Sequence, residues 1–160
     1  MASGVKVDDV VKELYETMKL EKNEKERIRL MVFGICDDLI KVKQIFRQKD
    51  LNEMKVDAFK LYKDQMMTGC CCYLLYDCHF EKAEQGGQED LIFTMWAHDD
   101  APLKMKMVYA SSKNTLKDIF KGIKHAYEFH DCADCSCEAD LAEKLGKTVM
   151  SVEGHSCKHT

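Results

Sequence analysis

Ala101-Pro102-Leu103-Lys104-Met105-Lys106-Met107-Val108-Tyr109-Ala110-Ser111-Ser112-Lys113-Asn114-Thr115-Leu116-Lys117 is the stretch on which the fold of this chain turns. Leu103 to Tyr109 alternates apolar and lysine residues, and alone that pattern fits a half-buried strand. A wider window brings out a stripe at Met105, Val108, Tyr109, Ser112, Leu116, Ile119, Phe120 and Ile123. Its gaps of three and four residues follow the ~3.6-residue turn of a helix for about five turns. The longer pattern predicts one amphipathic helix with Pro102 in its first turn and Gly122 at its exit. A bend is expected near Ser111-Ser112, where serine hydroxyls compete for backbone carbonyls. Lys104, Lys106, Met107, Lys113 and Lys117 fall off the buried stripe.

Outward from that helix the pattern alternates between strands and helices. Asp8 or Asp9 caps a helix from about Val10 to Leu20, with Val10, Val11, Leu14, Tyr15 and Met18 on one face. Ile28 to Ile35 and Leu39 to Phe46 read as strands around a turn at Asp37-Asp38. Val56 to Met67 reads as a helix. Cys71 to Phe80 and Leu91 to Trp96 are nearly continuous in apolar residues, as central strands are, and Gln85-Gly86-Gly87-Gln88 joins them as a hairpin. A strand at Gly122 to Phe129, a helix at Glu138 to Leu145 and a short strand at Thr148 to Val152 complete the chain. The expected fold class is mixed α/β (α+β): a central mixed five-stranded sheet flanked by helices on both faces.

With 160 residues and one proline, the chain is expected to form a single domain over residues 1–160, with flexible ends at 1–6 and 155–160. No apolar run approaches the ~20 residues needed to cross a bilayer, so no transmembrane segment is expected. The first residues lack a signal peptide's apolar core, which points to the cytoplasm. A net charge of −4 argues against nucleic acid as a partner and confines any anion site to a local lysine patch.

The opening stretch, continued through Gly122-Ile123-Lys124-His125, closely resembles the long actin-binding helix of the ADF/cofilin family. Met1-Ala2-Ser3-Gly4-Val5 matches the family's N-terminus. Tyr73, Leu75-Tyr76-Asp77, Glu89-Asp90-Leu91, Trp96-Ala97, Leu141-Ala142-Glu143-Lys144-Leu145-Gly146 and Glu153-Gly154 match in the same order. The resemblance covers nearly the whole chain and implies the actin-depolymerising factor homology fold. It implies a cofilin-type protein of the cytoskeleton that binds actin monomers and filaments and promotes depolymerisation, severing and turnover. Implied actin contacts are Ser3, Gly4, Val5, Lys104, Lys106, Met107, Ser112, Leu116 and Lys117. Read as residues alone, the same lysines fit an ordinary solvated helix face.

Three regulatory features come with the resemblance. Ser3 matches the family's regulatory phosphoserine, implying a kinase and a phosphatase; phosphate adds about −1.5 to −2 charges against an acidic actin surface. Lys104, Lys106, Lys117, Lys124 and His125 resemble the family's phosphoinositide site, where an anionic headgroup competes with actin. Asp90 and His125 occupy positions that would form a pH-sensitive pair.

Departures qualify the filament-binding half of that picture. The family's second surface carries basic residues in the hairpin after the third strand. Here the loop reads Glu84-Gln85-Gly86-Gly87-Gln88-Glu89, Cys72 replaces a typical arginine, and Cys132 to Cys137 lacks basic residues. A monomer-binding relative with weak or no severing is therefore the alternative. The family's nuclear signal is reduced to Lys25-Glu26-Arg27-Ile28-Arg29, which weakens the case for nuclear import. The Gln48 to Lys55 segment is shorter than in familiar cofilins.

Nine cysteines invite a different class of function. His130, Cys132, Cys135 and Cys137, with His155, Cys157 and His159, have donor types that suit zinc, and Cys132-x2-Cys135 is a zinc half-site or a redox motif. A thiol-redox or zinc-binding protein through Cys132, Cys135 and Cys137 is the alternative of another class. Reduced, reactive surface thiols are the simpler expectation for a cytosolic chain. No cofactor and no enzyme activity are expected, because the chain has no phosphate-cradling glycine loop, nucleophile elbow or helical His-Glu-x2-His pair.

Overall fold

Side chains of the strand Cys71–Lys82 leave the backbone alternately to opposite faces and so build two cores at once. Leu74, Tyr76, Cys78 and Phe80 enter one core, while Tyr73 and Leu75 enter the other. The structure is a computed structural model that describes residues 4–21 and 23–157. In chain order it runs β1 (Lys6–Val7), α1 (Asp9–Leu20), β2 (Ile28–Cys36), β3 (Leu39–Arg47), α2 (Gln48–Met54) and α3 (Ala58–Asp64). There follow β4 (Cys71–Lys82), β5 (Gly86–Ala97), α4 (Leu103–Lys117), β6 (His125–Phe129) and a 3-10 turn (Cys132–Cys135). The chain closes with α5 (Glu138–Leu145), β7 (Val149–Val152) and β8 (His155–Ser156).

The sheet is mixed, in the order β1-β3-β2-β4-β5-β6. The β1–β3 and β5–β6 pairs are parallel and the rest antiparallel. β2 pairs with β4 from Tyr73 to Tyr76, and β7 takes over that edge from Phe80 onward. One face carries α2, α3 and α5, which insert Leu51, Phe59, Tyr62, Leu141 and Leu145. The other carries α1 and α4, which insert Val11, Tyr15, Met18, Tyr109 and Leu116. Expected helices on both faces are thus found. Charge is buried too: Arg29 meets Glu153 at 2.6 Å and Arg27 meets Asp77 at 3.1 Å, while the exposed Glu89 reaches Arg27 at 2.7 Å.

Several expectations are corrected. The sheet has eight strands rather than five: the two-residue β1 and β8 are too short to leave a periodic signal, and β7 joins the sheet along the edge of β4. Gln48–Met54 forms a helix of its own, and Lys55 in a left-handed conformation (φ 58°) separates it from α3. With Leu51 its one buried residue, α2 carries no stripe to read. The long helix stops at Lys117 instead of running to Gly122. Ile119 and Phe120 remain on the apolar line but donate to Leu116 and Lys117, the three-residue spacing of a tightening turn. The β4–β5 turn lies at 83–85, with Glu84 at φ 69° and Gly86 and Gly87 already paired in β5. Lys6 and His155–Cys157, expected in flexible ends, are tied in by β1, by β8 and by burial of Cys157.

Candidate functional site

Pro102 caps α4 without a side-chain hydrogen bond, and no acidic residue follows in the first turn. Lys104 and Lys106 stand there instead, against the positive end of the helix dipole. That placement costs some helix stability. The inward face is anchored firmly. Tyr109 is buried; its hydroxyl accepts from the Ile35 N–H at 2.9 Å, and its carbonyl accepts from the Tyr73 hydroxyl. Lys113 forms a salt bridge to Glu128 on β6.

Facing away from these anchors is a solvent-exposed strip of Leu103, Lys104, Met107, Ala110, Ser111, Asn114 and Lys117. Leu103 is 70% and Met107 62% exposed, which is unusual for large apolar side chains on a helix rooted this well. The side chains of Lys104 and Lys117 make no hydrogen bond or ion pair among the described residues. Lys106 is half-buried and donates to the Asp99 carbonyl at 2.9 Å.

Not every expected contact lies on this strip. Leu116 and Ser112 are both 0% exposed and belong to the interior, as helical spacing from Tyr109 demands. They cannot touch a partner while α4 keeps its packing. Val5 is buried in the same core, whereas Gly4 is exposed at φ 83°. β1 lies against α4. Ser3 lies outside the described residues. Leu103, Ala110, Ser111 and Asn114 were missed; the signal was their spacing of seven, one and three, the complement of the buried stripe.

The five residues expected to form one anion patch fall into two groups. Lys104 and Lys117 are thirteen positions apart, or ~20 Å along a helix. Beyond the C-terminal end of α4, Lys117 and Lys121 line one groove, and Lys121 and Lys124 line the next with Lys19 and Tyr15 and with the carboxylates Glu89 and Asp90. Lys19 and Lys121 were not foreseen. Parallel pairing sets His125 opposite Ile92, and from there His125 Nε2 reaches Asp90 Oδ2 at 2.9 Å.

The other expected surface is acidic or hidden. Glu81 and Glu84 are exposed around the β4–β5 turn, and Cys72 is buried beneath the Gln65 carbonyl. Burial pushes the Cys72 and Cys135 thiols up to about 12, which leaves them protonated and unreactive. Cys132 and Cys137 are exposed, but no three histidine, cysteine or carboxylate side chains converge on a metal position among the described residues. His159 lies outside them.

A sheet roofed on both faces, with one firmly rooted helix turning methionine, leucine and lysine outward, defines a module that docks onto another macromolecule. The family of cofilin/tropomyosin-type actin-binding proteins matches residues 4–146, and the chain belongs to it. Among solved structures, a cofilin from Streptomyces griseoflavus is similar, with 25% identity over 89% of this chain and 97% of that one and a TM-score of 0.73. The ADF-like UNC-60A protein of Caenorhabditis elegans is 24% identical over 91% and 96%, with a TM-score of 0.71. Coactosin from Entamoeba histolytica shares the fold at 16% identity over 89% and 95%, with a TM-score of 0.70.

Proposed function

We propose that this chain binds actin through the outer strip of α4, with monomers as its first target. The observation that carries this reading is the outward Leu103–Met107 pair beside Lys104 and Lys117, whose charges have no partner among the described residues. Methionine adapts to a groove, and unpaired lysines draw in an acidic surface and set its register. Gly4 extends the contact, and Ser3 is a further contact implied by the family resemblance. Withdrawing monomers would promote filament depolymerisation and turnover, and a protein acting so would work in the cytoplasm with the cytoskeleton.

Weak filament decoration and weak severing are the second reading, favoured by the exposed Glu81 and Glu84 at the β4–β5 turn. A carboxylate-rich hairpin repels an acidic filament flank. Phosphorylation of Ser3 by a kinase, reversed by a phosphatase, would place negative charge against actin and weaken docking. Phosphoinositide headgroups would engage Lys117, Lys124 and His125 at one end of α4, with Lys104 and Lys106 at the other. The Asp90–His125 contact supports a pH-sensitive pair at the same end.

Sedimentation with actin tests these readings. Monomer binding raises the actin left in the supernatant without carrying this chain down, whereas filament decoration sends it to the pellet. Reversing Lys104→Glu together with Lys106→Glu should abolish binding while the circular dichroism spectrum stays unchanged. Actin capture as tight as the parent's by that variant overturns the α4 reading.

A further inference from the structure

Outside the binding strip, one buried histidine staples the loop that leads to it, between β5 and α4, to the loop between α3 and β4. His98 is 7% exposed. Its Nδ1 accepts from the Gly69 N–H at 2.9 Å and from the Asp100 N–H at 3.2 Å. Two N–H groups aimed at one ring nitrogen require a lone pair there, so the ring is neutral with its proton on Nε2. Backbone contacts tighten the same junction. The His98 N–H donates to the Cys70 carbonyl at 3.1 Å, and the His98 carbonyl accepts from Ala101 at 2.9 Å.

This junction sets where α4 begins. Three residues separate His98 from Pro102, the cap of the helix. Within that span Asp99 donates its N–H to the His130 carbonyl at 3.0 Å, and its own carbonyl holds Lys106. Leu103, Lys104 and Met107 therefore take their positions from a loop whose conformation depends on Nδ1 being an acceptor.

We propose that His98 is a positioning residue for the binding face of α4 and that its protonation opens the latch. A second proton has no place on the ring except Nδ1, where it meets two N–H dipoles head-on. The imidazolium must swing out, releasing Gly69 and Asp100 and loosening the start of the helix. Ionisable residues in the segments packed around it are Asp99 and Asp100 in its own loop, Cys70 from the α3–β4 loop, Lys106 from α4 and His130 after β6. The other described histidines behave differently. His79, His125 and His155 face carboxylates and His130 Nδ1 faces the Ala97 carbonyl, so each donates in either protonation state. Among the described residues His98 alone holds bonds that demand the neutral ring.

The functional half of this inference rests on actin binding through α4; the latch itself does not. His98→Asn keeps an acceptor oxygen near the Nδ1 position and cannot be protonated there, whereas His98→Ala removes the acceptor. Amide protection factors for Gly69 and Asp100 should fall at least about tenfold between about pH 7.5 and pH 5.5 in the parent and stay level in the asparagine variant. Actin affinity should drop over the same range by about tenfold more in the parent than in His98→Asn, on the scale of two lost hydrogen bonds. The alanine variant should bind weakly at both pH values, or fail to fold while the asparagine variant folds. Protection factors that respond to pH alike in the parent and the asparagine variant would overturn the latch. If no form binds actin at either pH, the proposed function fails, and the protection factors still decide the latch.

Discussion

Tyr73 and Tyr109 are joined at the backbone: the hydroxyl of Tyr73 donates to the carbonyl of Tyr109 in the middle of α4, with the two rings 5.1 Å apart. The Tyr109 hydroxyl in turn accepts from the Ile35 N–H. Through these two phenols the binding helix is bolted to β4 and β2. Burial pushes the Tyr109 phenol above its ordinary range, and Tyr73 further still, so both stay protonated at any physiological pH.

Removing either hydroxyl should cost stability in proportion to what it leaves behind. Tyr73→Phe forfeits one hydrogen bond to a carbonyl that keeps its place in the helix, an expected loss of about 1 kcal/mol. Tyr109→Phe leaves the part-buried Ile35 N–H without its acceptor, with an expected loss of about 1 kcal/mol, or more where water cannot reach the N–H. Urea denaturation measures both, and a Tyr109→Phe protein as stable as the parent contradicts the bolt.

Leu116 and Met107 should divide stability from binding. Leu116 is fully buried, so Leu116→Ala is expected to cost about 2–5 kcal/mol in a denaturation curve. Met107 is mostly in solvent, and Met107→Ala should change stability by no more than about 0.5 kcal/mol while weakening capture of actin. Equal binding losses in folded samples of both variants would return Leu116 to the contact surface.

These two residues also mark how far the sequence could be read. Leu116 and Ser112 lay on the apolar stripe that predicted the helix, and the family resemblance placed the same two at the partner. Periodicity was the better guide, because burial is a property of this chain's own packing. Glu138–Leu145 was legible to the residue, since three buried apolar residues share one face and Gly146 ends it. α2 was illegible because Leu51 alone points inward. The exit of α4 was illegible because Ile119 and Phe120 continue the stripe after the helical hydrogen bonds have stopped. No local signal could pair His98 with Gly69, twenty-nine residues away.

Arg29 and Glu153 should be strongly coupled. The guanidinium is buried and donates to both Glu153 oxygens at 2.6 Å, to Gln48 at 2.6 Å and to the Asp77 carbonyl at 3.1 Å. Tyr76 also bonds Glu153, which sits in the β7–β8 turn at φ 49°. Glu153→Ala leaves the buried Arg29 charge without its close carboxylate, with only Asp77 Oδ2 at 3.9 Å remaining, an expected loss of roughly 3 kcal/mol. Arg29→Met together with Glu153→Ala removes that stranded charge and should recover part of the loss. A double variant no more stable than Glu153→Ala alone in urea denaturation argues against the pairing.

His155 should give the folded protein a pH-dependent increment of stability on the acid side. Its Nε2 lies 2.9 Å from Asp57 Oδ2, and that hydrogen bond, with Glu138 and Glu153 nearby, raises its pKa above the usual 6.5. A group whose folded pKa is raised contributes fully below its unfolded pKa. The contribution is then lost as pH climbs through the raised folded value. The pair is largely exposed, so water screens it and the increment is small. Asp57 also caps α3 by accepting from Lys60, and Asp57→Asn preserves an acceptor for that cap while removing the charge that holds the imidazolium. The parent should therefore exceed Asp57→Asn in denaturation midpoint at about pH 6, with the gap narrowing by about pH 8.5. A gap that widens with rising pH reverses the sign and rules out a protonated His155 as its source.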